Sequence, residues 1–447
     1  MRFARQCGSP LEGQTQTERV PSGALTSGFC SEPGAAEDHG SYQFCVLCFV
    51  LGTLDRILRV PPRSALDFEE YELMAISRTP LALALGVAMQ IMAASNTKAA
   101  SITNLGNFGC PSDGSDAFGI NASGQVAGGS RTVASGCNSN SAYLYSGGSL
   151  LNLGALGGTY SQAYGLNDAG QIAGIFYPAN SGLGQQGFLY SDGVMTDIGT
   201  LGGNGGTAAY GINASADVVG ASFTSGNASS HAFVYSGGTM TDIGTLGGSD
   251  LTSVAYGVNN AGQVVGSSTL TNGSGTYHAF LYSGSVMADL GTLGGSDSEA
   301  WGVNNSGQVV GDASTAGGAA HAFLYSGGVM TDLGALGGNY SEALGINDAG
   351  QIVGDSLVAG NITYDAFLYS GGVMTDLNSL LPVGSGWQLS QAFSINGSGQ
   401  IVGDGLFDGQ PAAFLLDTSE SSSSPEPCSL ALVAAGVGFL ALVRKRP

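Results

Sequence analysis

Residues His321–Ser356 read HAFLYSGGVMTDLGALGGNYSEALGINDAGQIVGDS. Nearly the same words begin at His231, as HAFVYSGGTMTDIGTLGGSDLTSVAYGVNNAGQVVGSS. The phrase Gly-Ile-Asn-x-x-Gly-Gln-Ile-Val-Gly recurs with variation along the chain. Its Asn falls at Asn121, Asn167, Asn213, Asn259, Asn304, Asn347 and Asn396, at intervals of 46, 46, 46, 45, 43 and 49 residues. A period of this size marks a solenoid, a propeller or a tandem array. Each unit holds four short apolar runs. In chain order they are typified by AYGIN (Ala209 to Asn213), QIVG (Gln351 to Gly354), AFLY (Ala322 to Tyr325) and MTDL (Met330 to Leu333). Asn/Asp-Ala/Ser-Gly separates the first two and Ser-Gly-Gly the last two. Both are turn chemistry, because Gly and Asn tolerate positive φ. No stretch keeps a helical period, and four antiparallel strands per unit describe a propeller blade.

The ends of the array sharpen this reading. It opens on ITNLG (Ile102 to Gly106), a fourth strand without its first three, and closes on AAFLLD (Ala412 to Asp417), a third strand with no fourth behind it. A ring lets the opening strand complete the final blade, whereas an open solenoid leaves edges that need caps. The expected fold is all-β: a seven-bladed β-propeller of four-stranded antiparallel blades with three-plus-one closure over 101–417. Strand alternation places Ala, Gly and Asn of AYGIN on one side and the bulky residue on the other. That bulky position is Phe118, Tyr164, Tyr210, Tyr256, Trp301, Leu344 and Phe393, expected to pack against small residues of the neighbouring blade. The Asn ladder reads as turn structure, each Asn bonding its own backbone.

The chain has 447 residues with 75 Gly, 43% hydrophobic and 10% charged residues. Charge is segregated: of 12 Lys and Arg, eight lie in 1–100 and three in the last four residues, leaving Arg131 alone against 22 Asp and Glu over 101–424. Nucleic-acid affinity rests on basic residues neutralising phosphates, so a surface with net charge −21 excludes nucleic acid as a partner.

Residues 1–73 share nothing with the repeats. At Met74 begins MAISRTPLALALGVAMQIMAASNTKAAS, with Arg78 before an apolar run and small residues after it, the layout of a secretory signal over 74–100. Met74 therefore reads as the start, and 1–73 as an upstream extension without structure; an unusually long leader is the alternative. Cys45-x-x-Cys48 lacks the second ligand pair of a metal site. At the other end, a Ser-rich linker with Pro425-Glu426-Pro427 (418–427) precedes an apolar helix and the basic cluster Arg444, Lys445, Arg446 (428–447). About fifteen helical residues span roughly 22 Å, short of the ~30 Å hydrocarbon core. The basic end should stay cytoplasmic, so the body faces outward.

The tail resembles the PEP-CTERM sorting signal of Gram-negative bacteria. That resemblance implies recognition by an exosortase, a transient membrane association through the tail, and a final place at the cell surface or in the extracellular matrix. The HAF triplets at His231, His278 and His321, with LYSGG, MTDLGTLGG and GINxxGQIVG, resemble the extracellular HAF repeat family. It implies architecture and location and carries no reaction.

No catalytic motif is legible: there is no Gly-x-Ser-x-Gly elbow and no His-Glu-x-x-His. The three His share one position on consecutive units, away from the axis, so they cannot converge on a zinc ion. No cofactor is expected, with calcium the one candidate. The candidate ligand face lies where fourth-to-first loops gather, with Tyr160, Tyr340 and Trp387 in the loops and Asp116, Glu299 and Glu342 just before first strands. Aromatics beside carboxylates suit sugar or calcium binding, though they also serve loop packing. Extracellular polysaccharide is the expected partner of a binding or scaffold module. A secreted polysaccharide-active enzyme and a purely structural surface protein are the alternatives. Cys110 and Cys137 lie in loops that emerge at the same end of an up-and-down blade. They read as a disulfide in an exported protein, against two free thiols.

Overall fold

The computed structural model describes residues 100–110, 114–179, 184–226, 229–247, 251–270, 275–360 and 362–418. The upstream extension, the signal segment up to residue 99, and the sorting-tail residues Pro425, Glu426, Pro427, Arg444, Lys445 and Arg446 with their apolar helix lie outside them. The chain divides into two units, Met1–Leu85 and Gly86–Pro447. Among the described residues no helix is long and apolar enough to cross a membrane, and the helical elements are the short 3-10 turns Val133–Ser135 and Leu377–Leu380.

The fold is all-β. Five sheets hold four antiparallel strands each, and a sixth holds eight strands, two such groups joined by one parallel pair, Ala320 with Tyr340. In the unit of the opening stretch, Gly337–Ile346, Ile352–Val358, Tyr364–Ser370 and Val373–Asp376 pair in chain order. The sheet containing both ends of the array breaks sequence order. There Ser101–Asn104 pairs with Gln410–Asp417, setting Ile102 opposite Leu416 and Asn104 opposite Phe414.

The turn after each first strand is built by its Asn. Asn347 Oδ1 accepts from the backbone N–H of Ala349 (3.1 Å) and Gln351 (3.0 Å), and its Nδ2 donates to Gln351 Oε1 (2.8 Å). The same Nδ2 also donates to the carbonyl of Asn396 in the next unit at 3.0 Å. The bond repeats in every unit: Asn121 to Asn167, Asn167 to Asn213, Asn213 to Asn259, Asn259 to Asn304, Asn304 to Asn347, and Asn396 to Asn121. The expectation that these Asn serve only their own turns is corrected: each is also a buried tie between units. Unpaired, such an amide would cost about 1–3 kcal/mol.

Strict alternation of the first strand is also corrected. Register shifts at the bulky residue in every unit, as between Ala209 and Gly211 around Tyr210 and between Ala300 and Gly302 around Trp301. A bulge inserts an unpaired residue and re-aims its side chain. Released this way, the bulky residues meet one another instead of a neighbour's small face. Ring centroids lie 5.1 Å apart for Phe118–Tyr164, 5.3 Å for Tyr164–Tyr210, 5.4 Å for Tyr210–Tyr256, 4.2 Å for Tyr256–Trp301 and 4.9 Å for Phe393–Phe118. The bulge explains a sequence signal as well. It carries the carbonyl of Glu342 over Gly354, where a Cβ would lie 1.9 Å from that oxygen, and likewise Glu299 over Gly311 at 1.8 Å. The glycine of each QIVG phrase is thus demanded by close approach.

The core lies between units. Phe280 packs with Val264 and Ala255 of its own unit against Val219, Ala232 and Ile243 of the preceding one. Burying a Phe side chain stabilises by about 1.5–3 kcal/mol. Polar latches reinforce the seam: Ser341 Oγ accepts from Ala322 N (2.8 Å) and donates to the Gly334 carbonyl (2.6 Å).

Candidate functional site

First strands end at the Asn turns, so their starts gather at the opposite end, where fourth-to-first and second-to-third connections emerge. The residue two places before the bulky one is Asp116, Gln162, Ala208, Val254, Glu299, Glu342 or Gln391. Three second strands add a carboxylate straight after their glycine: Gly311-Asp312, Gly354-Asp355 and Gly403-Asp404. Register sets Glu299 opposite Asp312, Glu342 opposite Asp355, and Gln391 opposite Asp404. Carboxyl groups therefore crowd on consecutive units. Asp355 is 1% exposed.

Their electrostatics follow from that crowding. Burial first, then the neighbouring Glu342 charge, pushes Asp355 up to about 8. Burial and then Asp312 raise Glu299 to about 7. Burial raises Asp312 to about 6 against the opposing hydrogen bond from Trp301 Nε1 at 3.0 Å. Asp404 is raised well above the carboxylate range by burial and then by Asp116. Asp116 is itself raised by burial, with Arg131 opposing. Glu342 thus faces Asp355 across adjacent strands, and Asp404, which accepts from Ala117 N at 3.1 Å, lies beside Asp116.

One of these pairs opens onto a cavity of about 430 Å³ lined by Tyr340, Glu342, Asp355, Tyr364, Ser390 and Gln391, at the junction of two units. Tyr340 Oη donates to Glu342 Oε2 (2.9 Å), and Gln391 Nε2 donates to Asp355 Oδ1 (3.1 Å). The rings of Tyr340 and Tyr364 meet edge to face, 5.7 Å apart and at 84°. The arrangement offers an aromatic wall, neutral hydrogen-bonding groups and a carboxyl floor.

The sequence-derived residues divide accordingly. Tyr340 and Glu342 line the cavity, and Glu299 stands in the next unit beside Asp312. Asp116 faces Asp404 and not the cavity. Tyr160, in a sheet apart from the cavity, donates to Gln162 Oε1 and packs edge to face on Tyr177, its partner on the adjacent strand. Trp387 stacks on Phe407 and Phe414 and belongs to packing. All six sit inside first strands, because these strands extend further toward this end than their AYGIN-like cores: Gly337–Ile346 has 10 residues. Sequence reading missed Asp312, Asp355, Asp404, Tyr364 and Gln391. The signal for three of them was present as Val-Gly-Asp in consecutive units.

Cys110 and Cys137 are joined as a disulfide with Cα atoms 5.8 Å apart. Each HAF histidine braces its unit's fourth strand: His278 Nδ1 lies 2.9 Å from Asp289, whose Oδ1 accepts from Gly291 N at 2.7 Å. His231 and His321 pair likewise with Asp242 and Asp332. Among the described residues no group of three or more His, Cys, Asp and Glu is placed to hold a metal ion.

No family model matches the chain, and no curated protein matches it. Among solved structures it is similar to the β-propeller domain of the Trilobed protease from Pyrococcus furiosus, with TM-score 0.44 and 8% identity over 72% of this chain and 96% of that one. A puromycin-hydrolyzing peptidase of Mycobacterium tuberculosis gives 0.43 and 11% over 70% and 53%. TolB from Acinetobacter baumannii gives 0.37 and 12% over 65% and 63%.

Proposed function

We propose that the chain is a closed seven-bladed β-propeller, exported through the signal at Met74 and sorted by an exosortase-type machinery acting on the Pro425-Glu426-Pro427 tail. In this reading it serves at the bacterial surface or in the matrix as a saccharide-binding module. The cyclic Asn bonds and the pairing of Ser101–Asn104 with Gln410–Asp417 support the ring. The Cys110–Cys137 bridge supports passage through an oxidising compartment.

The observation that carries the binding role is the cavity at Tyr340, Glu342, Asp355, Tyr364, Ser390 and Gln391. Its volume falls within the range of small-ligand pockets, roughly 300–1,000 Å³. Tyr rings give a sugar an apolar face to lie on, and the carboxyl and amide groups meet its hydroxyls.

A glycan array probed with the intact protein tests the reading. Saccharides should be retained, and Tyr364→Ala should weaken retention about tenfold. Retention of none, or turnover of a bacterial exopolysaccharide, would defeat it.

A further inference from the structure

We infer that this cavity selects oligosaccharides that carry free amino groups. The inference rests on the saccharide-binding reading and names its ligand class. The floor pairs two carboxyl groups, Glu342 and Asp355, across the register of adjacent strands. Tyr340 Oη donates to Glu342 and Gln391 Nε2 to Asp355. Ser390 adds a hydroxyl and Tyr364 a ring at the rim, 45% exposed. No Lys or Arg lines the cavity, and Arg131 is the sole Lys or Arg from residue 101 to 443.

A neutral sugar meets this floor at a disadvantage. A hydroxyl brings a single donor and no charge to two carboxyl groups that face each other. An ammonium group differs, because it brings three donors and a positive charge. Seated against both carboxyl groups, it donates to each in charge-assisted bonds, and any proton they carry leaves to solvent. Tyr340 and Tyr364 meanwhile hold the sugar ring, so the amine is presented by a saccharide and not by a free ion.

Isothermal titration on the intact protein at pH 6 tests this with three tetrasaccharides: a glucosamine oligomer, its N-acetylated counterpart, and a neutral glucose oligomer. Glucosamine should bind at least tenfold more tightly than either. Glu342→Gln should abolish the preference while leaving weak neutral binding, and Asp355→Asn should do the same should Glu342→Gln fail to fold. Tyr364→Ala should weaken all three ligands alike, since it touches the ring and not the amine. Equal binding of the three, or a preference that survives Glu342→Gln and Asp355→Asn, would overturn the amine assignment while leaving saccharide binding intact. Binding of none would overturn both.

Discussion

Gly354 lies under the carbonyl of Glu342, and the same contact recurs beneath Glu299 at Gly311. A methyl group there must push an inner strand away from its partner. Gly311→Ala should therefore lower stability by about 1–3 kcal/mol or more. Gly397→Ala, where a Cβ would meet nothing within 4 Å, should be near neutral, and urea unfolding midpoints of the two variants check the contrast. The buried carboxyls make a second residue-scale prediction. Asp355, Glu299 and Asp312 are raised to about 8, 7 and 6 from ordinary values of 3.8, 4.5 and 3.8. Between those limits the folded protein binds more protons than the unfolded chain. The stability these groups contribute is full below about pH 4 and is lost as pH rises through about 6 to 8. Melting temperature should accordingly climb on acidification from pH 8 toward 5, and Asp355→Asn should flatten the upper part of that slope.

At the scale of the element, the Asn turn joins two units through one side chain. Asn259 donates to Gln263 Oε1 and to the Asn304 carbonyl, and accepts from the N–H of Ala261 and Gln263. Asn259→Ala leaves these buried groups without partners and should cost about 1–3 kcal/mol for each one that water cannot reach. Chemical denaturation measures it. The disulfide acts on the unfolded chain instead. Closing a loop with a sequence separation of 27 should contribute about 3–4 kcal/mol in the chain-entropy model. Replacing both cysteines by serine should lower the unfolding free energy by that amount, with the fold unchanged by circular dichroism.

For the whole molecule, the pairing of Ser101–Asn104 with Gln410–Asp417 brings together strands more than 300 residues apart in the chain. In the proposed ring this pairing couples every unit to every other. Calorimetry of the intact protein should show one transition whose calorimetric and van't Hoff enthalpies agree. Thr103→Pro, in the same hydrogen-bonding phase as Leu105, whose N–H donates to the Ala413 carbonyl, removes a ladder donor opposite Leu415 and bares the edge of the final sheet. It should split or broaden that transition and promote association through the exposed strand. A single sharp transition of unchanged midpoint would mean that the opening strand is dispensable.

Local chemistry was enough to read the strands from the sequence. Repeated Asn-x-x-Gly and Ser-Gly-Gly turns bracket apolar runs too short for helices, and the leftover runs at the array's two ends were legible as partners. Turn preference and side-chain period act within a few residues, so one unit's text carries them. The bulge was not legible, because an unpaired residue is defined by its partner strand. The ties from one unit's Asn to the next unit's carbonyl were hidden for the same reason. Tyr340 and Glu342 were found as an aromatic beside an acid, but Trp387 looked the same in sequence and packs against Phe407 and Phe414. Only the tertiary structure set Asp355 opposite Glu342 and brought Gln391 from the next unit onto it. Burial and proximity between strands decide which carboxyls are pushed up, and neither is a property of the linear chain.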